Sequence, residues 1–282
     1  MAQRSQARPF VKMYATGNDF VIFDLRGWTL QHPGRTARQL CNRSTGIGAD
    51  QMLLISTTRR KDGDFKMQAF NADGSEAEMC GNGIRCVAKY LFDRKEVKKK
   101  SVNIETLGGF YSVTPIGKQY RVNMGVPQLK GKEIGVSLNG RIINRPLRME
   151  GRELRITCCG IGNPHCVIFV ENPQDFPVTK FGPLVETYHA FPRRINVEFA
   201  RTVSPNEIEM RVWERGTGET RGCGTGACAV VVASVLNGHT ERDVEVKMPG
   251  GTVKVNWDRE THELHLTGPA ELVFSGSVPV SA

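Results

Sequence analysis

The sequence predicts an α/β (α+β) fold built from two domains that are related by a pseudo-twofold axis. Each domain is expected to be a curved mixed or antiparallel sheet, barrel-like in form, around a central buried helix. The chain has 282 residues, enough for two domains of ordinary size. Strand-like segments run through both halves, and a set of polar motifs recurs in the same order. We therefore expect one domain at residues 9–125, with a returning strand near 270–282, and the other at residues 126–269.

The repeat is clearest around two cysteines. A polar residue, Asn71 or Glu214, stands nine positions before Cys80 or Cys223, and each cysteine opens a Cys-Gly-x-Gly turn. Both pairs are 143 residues apart, from 71 to 214 and from 80 to 223. Such recurrence at one offset indicates two copies of one domain rather than unrelated loops. Two further pairs lie 145 residues apart, Asn18 with Asn163 and Gln51 with Asn196.

Periodicity and turn residues predict the elements of each half. Helices are expected at 34–42, 83–92 and 225–236, and the last of these is apolar on all sides, which is typical of a buried helix. Segments rich in β-branched and aromatic residues between turns are expected to be strands. These are 10–13, 20–24, 51–56, 66–71, 101–107, 109–115, 120–124, 153–159, 166–170, 195–200, 207–213, 243–248, 251–258, 263–268 and 273–280.

Composition and charge argue against several classes of protein. Apolar residues make up 39% of the chain and charged residues 24%, as in ordinary globular proteins. The formal net charge is +9, but the densest basic run, residues 95–100, has no interleaved aromatic residues, so we expect no nucleic-acid partner. No apolar segment is long enough to span a bilayer, so we expect no membrane partner. Residues 1–10 lack the apolar stretch of a signal peptide and are expected to be a short disordered extension of a cytoplasmic protein.

The eight cysteines do not have the spacing of a structural zinc site, in which ligands come in closely spaced pairs. Without a secretion signal, a framework of disulfide bonds is not expected either. We therefore predict no metal and a set of reduced thiols, of which Cys80 and Cys223 are the reactive ones. The others are expected to be apolar filler: Cys41, Cys86, Cys158, Cys159, Cys166 and Cys228.

Cys80 and Cys223 each precede a segment that is predicted to be a helix. A helix N-terminus lowers the pKa of a thiol and binds anions such as a carboxylate through its free N–H groups. Two such thiols on opposite faces of an amino-acid α-carbon could remove its proton and return one from the other side. Pyridoxal phosphate would need a Schiff-base lysine and a phosphate cradle, and neither occurs in a convincing context. The pattern therefore predicts an epimerase or racemase without a cofactor.

Seven motifs across almost the whole chain resemble those of the diaminopimelate epimerase family. The resemblance implies a homodimeric enzyme without a cofactor that interconverts LL- and meso-2,6-diaminopimelate, a small amino acid on the route to lysine and bacterial cell-wall precursors. The motifs are Thr16-Gly-Asn-Asp-Phe20, Gly48-Ala-Asp-Gln51, Asn71-Ala-Asp-Gly-Ser-Glu76, Met79-Cys-Gly-Asn-Gly-Ile-Arg-Cys86, Gly162-Asn-Pro-His-Cys166, Glu214-Arg-Gly-Thr-Gly-Glu219 and Cys223-Gly-Thr-Gly-Ala-Cys228.

The resemblance also implies roles at the matched positions. Cys80 and Cys223 are the acid/base pair, and His165 and Glu214 lie beside the thiols and help one of them to lose its proton. Other matched positions bind the substrate. Backbone N–H groups hold the reacting carboxylate, polar side chains bind the distal amino-acid end, and Gln51 lines the pocket. The N–H groups belong to Gly81, Asn82, Gly224 and Thr225, and the distal set is Asn18, Asn71, Asn163, Asn196 and Arg215.

Several alternatives remain open on the sequence. A racemase of another amino acid, such as histidine or proline, can use paired cysteines in a similar fold, and a phenazine-biosynthesis type of isomerase shares that fold. A redox sensor with a Cys80–Cys223 disulfide is a possibility from a different class. Taken alone, most of the matched residues also have structural interpretations, as turn, surface or core residues. Asp19, Asp50 and Asp73 match the family as well, and we interpret them as cap and turn residues.

Overall fold

The computed structural model describes residues 6–280, which divide into two compact units. Residues 6–122 and 268–280 form unit 1, and Asn123–Thr267 form unit 2. The described residues contain 18 strands and five helices, so the fold is mixed α/β and mostly sheet. No helix within residues 6–280 has both the length and the apolar character that crossing a bilayer requires.

The first half of the chain contains eight strands and two helices. The second helix is the longer one, and a cysteine directly precedes it. In chain order these elements are β1 (Gln6–Ala15), β2 (Asn18–Asp24), α1 (Pro33–Leu40), β3 (Gln51–Ser56), β4 (Phe65–Asn71), β5 (Glu76–Ala77), α2 (Gly81–Asp93), β6 (Val102–Thr106), β7 (Gly109–Ile116) and β8 (Gln119–Gly125).

The second half adds ten strands and three helices. The last strand belongs to unit 1, where it pairs antiparallel with β1. The elements are α3 (Gly131–Ile134), β9 (Ile142–Met149), β10 (Arg152–Gly160), β11 (Pro164–Phe169), α4 (Val178–Glu186), β12 (Asn196–Ser204), β13 (Glu207–Glu214), β14 (Gly218–Thr220), α5 (Gly224–Leu236), β15 (Asp243–Met248), β16 (Gly251–Trp257), β17 (Leu264–Gly268) and β18 (Glu271–Val280).

The two units repeat one series of strand pairings. In unit 1, β1 pairs antiparallel with β2, β2 parallel with β3, β3 antiparallel with β4, and β4 parallel with β6. In unit 2, the pairs β10–β11, β11–β12, β12–β13 and β13–β15 have the same directions in the same order. In each unit a short strand and a long helix come just before the last strand of the series. They are β5 and α2 before β6 in unit 1, and β14 and α5 before β15 in unit 2. The sequence repeat is thus matched by a repeat of topology.

The long helix of each unit packs against several strands of that unit. Helix α2 contacts β1, β2, β3, β4, β7 and β18, and helix α5 contacts β10, β11, β12, β13, β15 and β16. Every residue of α5 from Gly224 to Ser234 is buried, which confirms the prediction from its uniformly apolar sequence. Burial of these helices places their N-termini, and the cysteines before them, among the strand ends.

Some predictions were wrong in detail. Residues 6–10 are not a disordered extension, because they already belong to β1 and pair with β18. Residues 1–5 and 281–282 lie outside the described residues. The predicted helix at 34–42 is observed two residues shorter at its end, with Pro33 at its first position, where proline is well tolerated. Helix α4 escaped prediction because Gly182 and Pro183 inside it are typical helix breakers.

Candidate active site

Cys80 is the N-cap residue of α2, as the sequence predicts. Its backbone is extended, with φ −136° and ψ 105°, and its Sγ accepts a hydrogen bond from the Gly83 N–H at 3.3 Å. The thiol is partly exposed. A Cβ added at Gly83 would lie 3.2 Å from Sγ and 3.0 Å from Leu53 Cδ1, so glycine lets the helix start close to the thiol. The N–H groups of the first turn have no partner within the helix and suit an anion.

Cys223 has the same position and backbone conformation at the start of α5. Its φ is −132° and its ψ is 119°, and its Sγ accepts from the Gly226 N–H at 3.4 Å. The Thr225 hydroxyl lies 3.3 Å from the same sulfur. Unlike Cys80, Cys223 is buried, with an exposed fraction of 7%. The two cysteines are therefore equivalent in local geometry and different in their access to solvent.

The pKa of Cys223 is raised well above its ordinary value, so the expectation of a lowered thiol pKa is wrong for this cysteine. Burial is the largest cause, and the nearby charges of Glu214 and Glu198 raise it further. The hydrogen bonds from Thr225 and Gly226 lower the pKa, but by less. Because a buried thiolate beside carboxylates is unfavourable, Cys223 holds its proton near neutral pH.

Glu214 is in direct contact with this thiol. Burial raises the pKa of the Glu214 carboxyl, while hydrogen bonds with Thr220 and Cys223 and the charge of His165 lower it. The Thr220 hydroxyl donates to Glu214 Oε1. A carboxylate that accepts hydrogen bonds from both a hydroxyl and a thiol can hold the thiol proton in a defined direction.

Unit 1 brings the predicted polar residues of the first half together at the ends of neighbouring strands. Asn82 Nδ2 donates to Asn18 Oδ1 at 2.6 Å. Gln51 and Asn71 stand opposite each other in the β3–β4 pair, and Gln51 Nε2 donates to Asn71 Oδ1 at 2.8 Å. Gln51 Oε1 is buried and has no hydrogen-bond partner among the described residues. A buried acceptor of this kind is available for an N–H group of a ligand.

Unit 2 brings the corresponding residues of the second half together. His165 is fully buried, and its Nε2 lies 2.8 Å from Asn163 Oδ1. Asn196 Nδ2 donates to the Pro164 carbonyl at 2.9 Å, and Asn196 Oδ1 accepts from the Arg215 N–H at 3.0 Å. Asn196 therefore joins the turn before His165 to the turn that carries Arg215.

Two charged residues in these clusters were missed by the sequence analysis. Glu198 is fully buried in β12, and its Oε1 lies 2.7 Å from His165 Nδ1. Arg85 is fully buried in α2, where it donates to Asn82 Oδ1 and to Thr16 Oγ1, both at 2.9 Å. The available signal was a single charged residue inside an apolar segment, which is costly to bury unless it has partners.

The three aspartates that were interpreted as cap and turn residues differ in what they do. Asp73 accepts from the Ser75 N–H and hydroxyl and is a turn residue, as expected. Asp50 Oδ2 accepts from Asn18 Nδ2 at 3.3 Å and so helps to orient that amide. The pKa of Asp19 is below its ordinary value. Partial burial acts to raise this pKa, but the ion pairs with Arg43 and Lys12, at 2.8 and 2.7 Å, lower it by more.

The remaining cysteines match their prediction. All eight cysteines are in the thiol form in the structure. Those predicted to be apolar filler are buried, and the pKa values of Cys86, Cys159 and Cys166 are raised by that burial. The full filler set is Cys41, Cys86, Cys158, Cys159, Cys166 and Cys228.

One known family matches the segments that contain the polar clusters of unit 1 and unit 2. The family model described as diaminopimelate epimerase matches residues 10–130 and 157–273, segments that include both N-cap cysteines and both polar clusters. The chain belongs to the diaminopimelate epimerase family. Full-length relatives in this family include the diaminopimelate epimerase of Acetivibrio thermocellus, which is 44% identical over 278 residues, covering 96% of this chain and 99% of the relative. That of Pelotomaculum thermopropionicum is 46% identical over 279 residues, covering 96% and 98%.

Solved structures show that this diaminopimelate epimerase family member shares a fold with more distant proteins. A hydroxyproline epimerase from Agrobacterium vitis superposes with a TM-score of 0.74 at 14% identity, covering 98% of this chain and 93% of that one. A PhzF-family phenazine biosynthesis protein from Bacillus anthracis gives a TM-score of 0.70 at 17% identity, covering 98% and 100%. At these identities the likeness concerns the fold alone.

Proposed function

We propose that this chain interconverts LL-2,6-diaminopimelate and meso-2,6-diaminopimelate without a cofactor, as an isomerase in lysine and peptidoglycan-precursor biosynthesis. The observation that carries the proposal is the repeated N-cap thiol, one in each unit, within a chain of the diaminopimelate epimerase family. The same order of strand pairings around both thiols supports the view that the units are two copies of one domain, each with a curved sheet around its central helix.

In the proposed reaction, one thiolate takes the α-proton from one face of the carbon and the other thiol gives its proton to the opposite face. The proton count is unchanged, because one sulfur gains a proton and the other loses one. Negative charge develops on the substrate carboxylate between the two transfers. First-turn N–H groups are suited to stabilise that charge, since they point along the helix axis and need no reorganisation. They belong to Gly81, Asn82, Gly224 and Thr225.

The resting protonation state follows from the difference between the two thiols. Cys223 is buried beside two carboxylates and keeps its proton, which Glu214 accepts as a hydrogen bond. Cys80 is partly exposed. Because the proposed reaction needs one thiol and one thiolate, the protonated Cys223 leaves the role of thiolate to Cys80. The charge of His165 lowers the pKa of Glu214 and so favours the carboxylate that accepts the Cys223 proton as a hydrogen bond.

The remaining polar residues are proposed to bind the distal amino-acid end of the substrate. Arg215 can hold a carboxylate bidentately, and its backbone is fixed by Asn196. The unpartnered Gln51 Oε1 can accept from an ammonium group. The other members of this set, all placed at strand ends or the turns beside them, are Asn18, Asn71 and Asn163.

One labelling experiment tests the function. The protein is incubated with LL-diaminopimelate in heavy water, and the meso product is expected to carry deuterium at a single α-carbon. Histidine and proline, each offered separately, are expected to remain unlabelled. If histidine became labelled and diaminopimelate did not, histidine would be the substrate and the proposed substrate would be wrong. If no amino acid became labelled, the epimerase reaction itself would be contradicted.

We also propose that the protein is a cytoplasmic homodimer. Its eight reduced cysteines fit a reducing compartment. Strand β18 exposes three consecutive apolar side chains, Leu272, Val273 and Phe274, with exposed fractions of 56%, 57% and 46%. Such a strip is unusual for a monomer and suits contact with a second copy.

Val273→Arg is therefore expected to convert a dimer into a monomer, because a charge placed in an apolar interface loses its hydration. Light scattering with size-exclusion chromatography measures the change against the chain mass of 31.3 kDa. Leu107→Arg is the matched control, since Leu107 is equally apolar and 65% exposed but lies outside β18. A wild-type protein that is monomeric at micromolar concentration would contradict the proposal.

A further inference from the structure

The repeat allows one half of the molecule to serve as a reference for the other. In the parallel pair β2–β3, Phe20 stands opposite Gln51, and in β11–β12, His165 stands opposite Asn196. Two residues further along β3 and β12 come Leu53 and Glu198. Phe20 and Leu53 of unit 1 therefore occupy the places that His165 and Glu198 occupy in unit 2.

Phe20 and Leu53 of unit 1, and Glu198 of unit 2, lie beneath the first turn of the helix that carries the reactive cysteine. A Cβ on Gly83 would lie 3.0 Å from Leu53 Cδ1 and 3.3 Å from Phe20 Cε1. A Cβ on Gly226 would lie 2.9 Å from Glu198 Oε1. Unit 1 thus fills this place with two apolar side chains. The fold itself does not require a charged pair there, and burying one costs free energy that an apolar pair does not.

Both ring nitrogens of His165 face oxygen atoms. Its Nδ1 lies 2.7 Å from Glu198 Oε1, and its Nε2 lies 2.8 Å from Asn163 Oδ1. This arrangement fits the imidazolium, the form of the ring that has two N–H groups. Glu198 Oε2 has no hydrogen-bond partner within residues 6–280, which leaves His165 as the group that compensates this carboxylate.

The other titratable groups around the pair lie on three further elements. Cys159 on β10 stands opposite His165, Glu214 ends β13, and Cys223 caps α5. The thiols are neutral when protonated, so the charges facing His165 are the carboxylates of Glu198 and Glu214.

We propose that Glu198 is a positioning residue that locks His165 as a permanent imidazolium beside Glu214, so that His165 acts by its charge and does not exchange protons during turnover. The consequence for catalysis rests on the proposed function. A fixed cation keeps Glu214 ionised despite its burial, and an ionised Glu214 can hold the Cys223 proton for transfer. A neutral His165 would let Glu214 take up a proton, and Cys223 would lose its acceptor.

The charge of His165 can be observed directly by NMR of ring-¹⁵N-labelled histidine. In the wild type, both ring nitrogens of His165 are expected to be protonated at about pH 8. In Glu198→Gln, the ring is expected to have a single N–H at about pH 8. Glu186→Gln is the matched control: this buried carboxylate of the same unit bonds Trp213 and Gly216 instead, and its loss should leave the His165 signals unchanged. A neutral His165 in the wild type at about pH 8 would overturn the proposal.

Kinetics of the same variants test the positioning role. Glu198→Gln is expected to lower kcat by about 10- to 100-fold, the loss seen when a carboxylate that orients a functional histidine is removed at metal sites. KM should change by less than about threefold, because the side chain of Glu198 is fully buried. An unchanged kcat in a variant whose His165 has become neutral would refute the role. If the wild type itself exchanges no deuterium, the proposed function fails, while the NMR result still decides the charge of His165.

A double variant separates this role from packing. His165→Phe with Glu198→Leu copies the Phe20–Leu53 pair of unit 1, and is expected to fold with a melting temperature no lower than that of the wild type. Its kcat is expected to be reduced at least as far as that of Glu198→Gln. Glu198→Leu alone should melt at a lower temperature, because it leaves the imidazolium without its partner. Equal melting temperatures for the single and double variants would contradict an ion pair.

Discussion

Cys80→Ala and Cys223→Ala are each expected to lower epimerisation by at least about 10³-fold, because each removes one of the two groups that we propose move a proton at the α-carbon. Inversion needs both groups, so neither variant can be rescued by the thiol that remains. The rate is measured as the appearance of meso product from LL-diaminopimelate. Residual turnover in either variant above about one tenth of the wild-type rate would contradict a two-thiol mechanism.

Deuterium exchange in heavy water distinguishes the loss of one thiol from a general loss of activity. A variant with one thiol can still remove an α-proton and return a deuteron to the same face, which labels the substrate without inverting it. Each variant is therefore expected to label only the stereoisomer whose α-proton faces its remaining sulfur. Cys86→Ala and Cys228→Ala are the controls, since both are buried residues of the same two helices and should retain labelling and inversion.

Arg85→Met is expected to lower the free energy of unfolding by about 3 kcal/mol or more, since it leaves several buried acceptors without a donor. Arg85 donates to Thr16 Oγ1, Asn82 Oδ1 and the Gly81 carbonyl, at 2.9, 2.9 and 3.2 Å. Urea unfolding of the purified variant measures the loss. Activity should fall as well, because Arg85 fixes the first turn of α2 and the Asn82 amide.

Arg43→Met provides the matched comparison for Arg85. Arg43 also lies in unit 1 and bonds Asp19 and Asp50, but its side chain is 61% exposed. Ion pairs in contact with water contribute little, so this variant should lose less than about 1 kcal/mol. Equal losses of unfolding free energy in the two variants would mean that burial does not determine how much Arg85 contributes to stability.

Much of the fold could be predicted because the local signals agree with the final structure. Alternating and β-branched segments between turns identified β2, β3, β10, β13 and β16 within a few residues. The apolar sequence 225–236 identified a buried helix and therefore a cysteine at a buried N-terminus. Prediction failed where local signals conflict with tertiary packing. Pro146 disfavours the strand β9, and Gly182 and Pro183 disfavour the helix α4, yet both elements form in the packed chain.

Comparison of the two halves singled out the candidate-site residues that have polar counterparts. His165, whose counterpart is Phe20, came only from the family resemblance, and Glu198 was missed. Cys80 and Cys223, or Gln51 and Asn196, could be found because each has a polar counterpart in the other half. Glu198 has Leu53 as its counterpart, so comparison of the halves gave no signal for it. Burial turns such a residue from an ordinary strand carboxylate into a charge that needs a partner, and burial is a property of the packed chain.

The sequence by itself determined the repeat and the family, because these depend on residue identity and spacing along the chain. Tertiary structure alone decided how the two thiols differ. Cys80 and Cys223 share a motif and a helix N-terminus, yet only Cys223 is enclosed with Glu214 and Glu198, which raise its pKa. A pKa depends on the solvent and charges around a group, and folding brings those neighbours from strands distant in sequence.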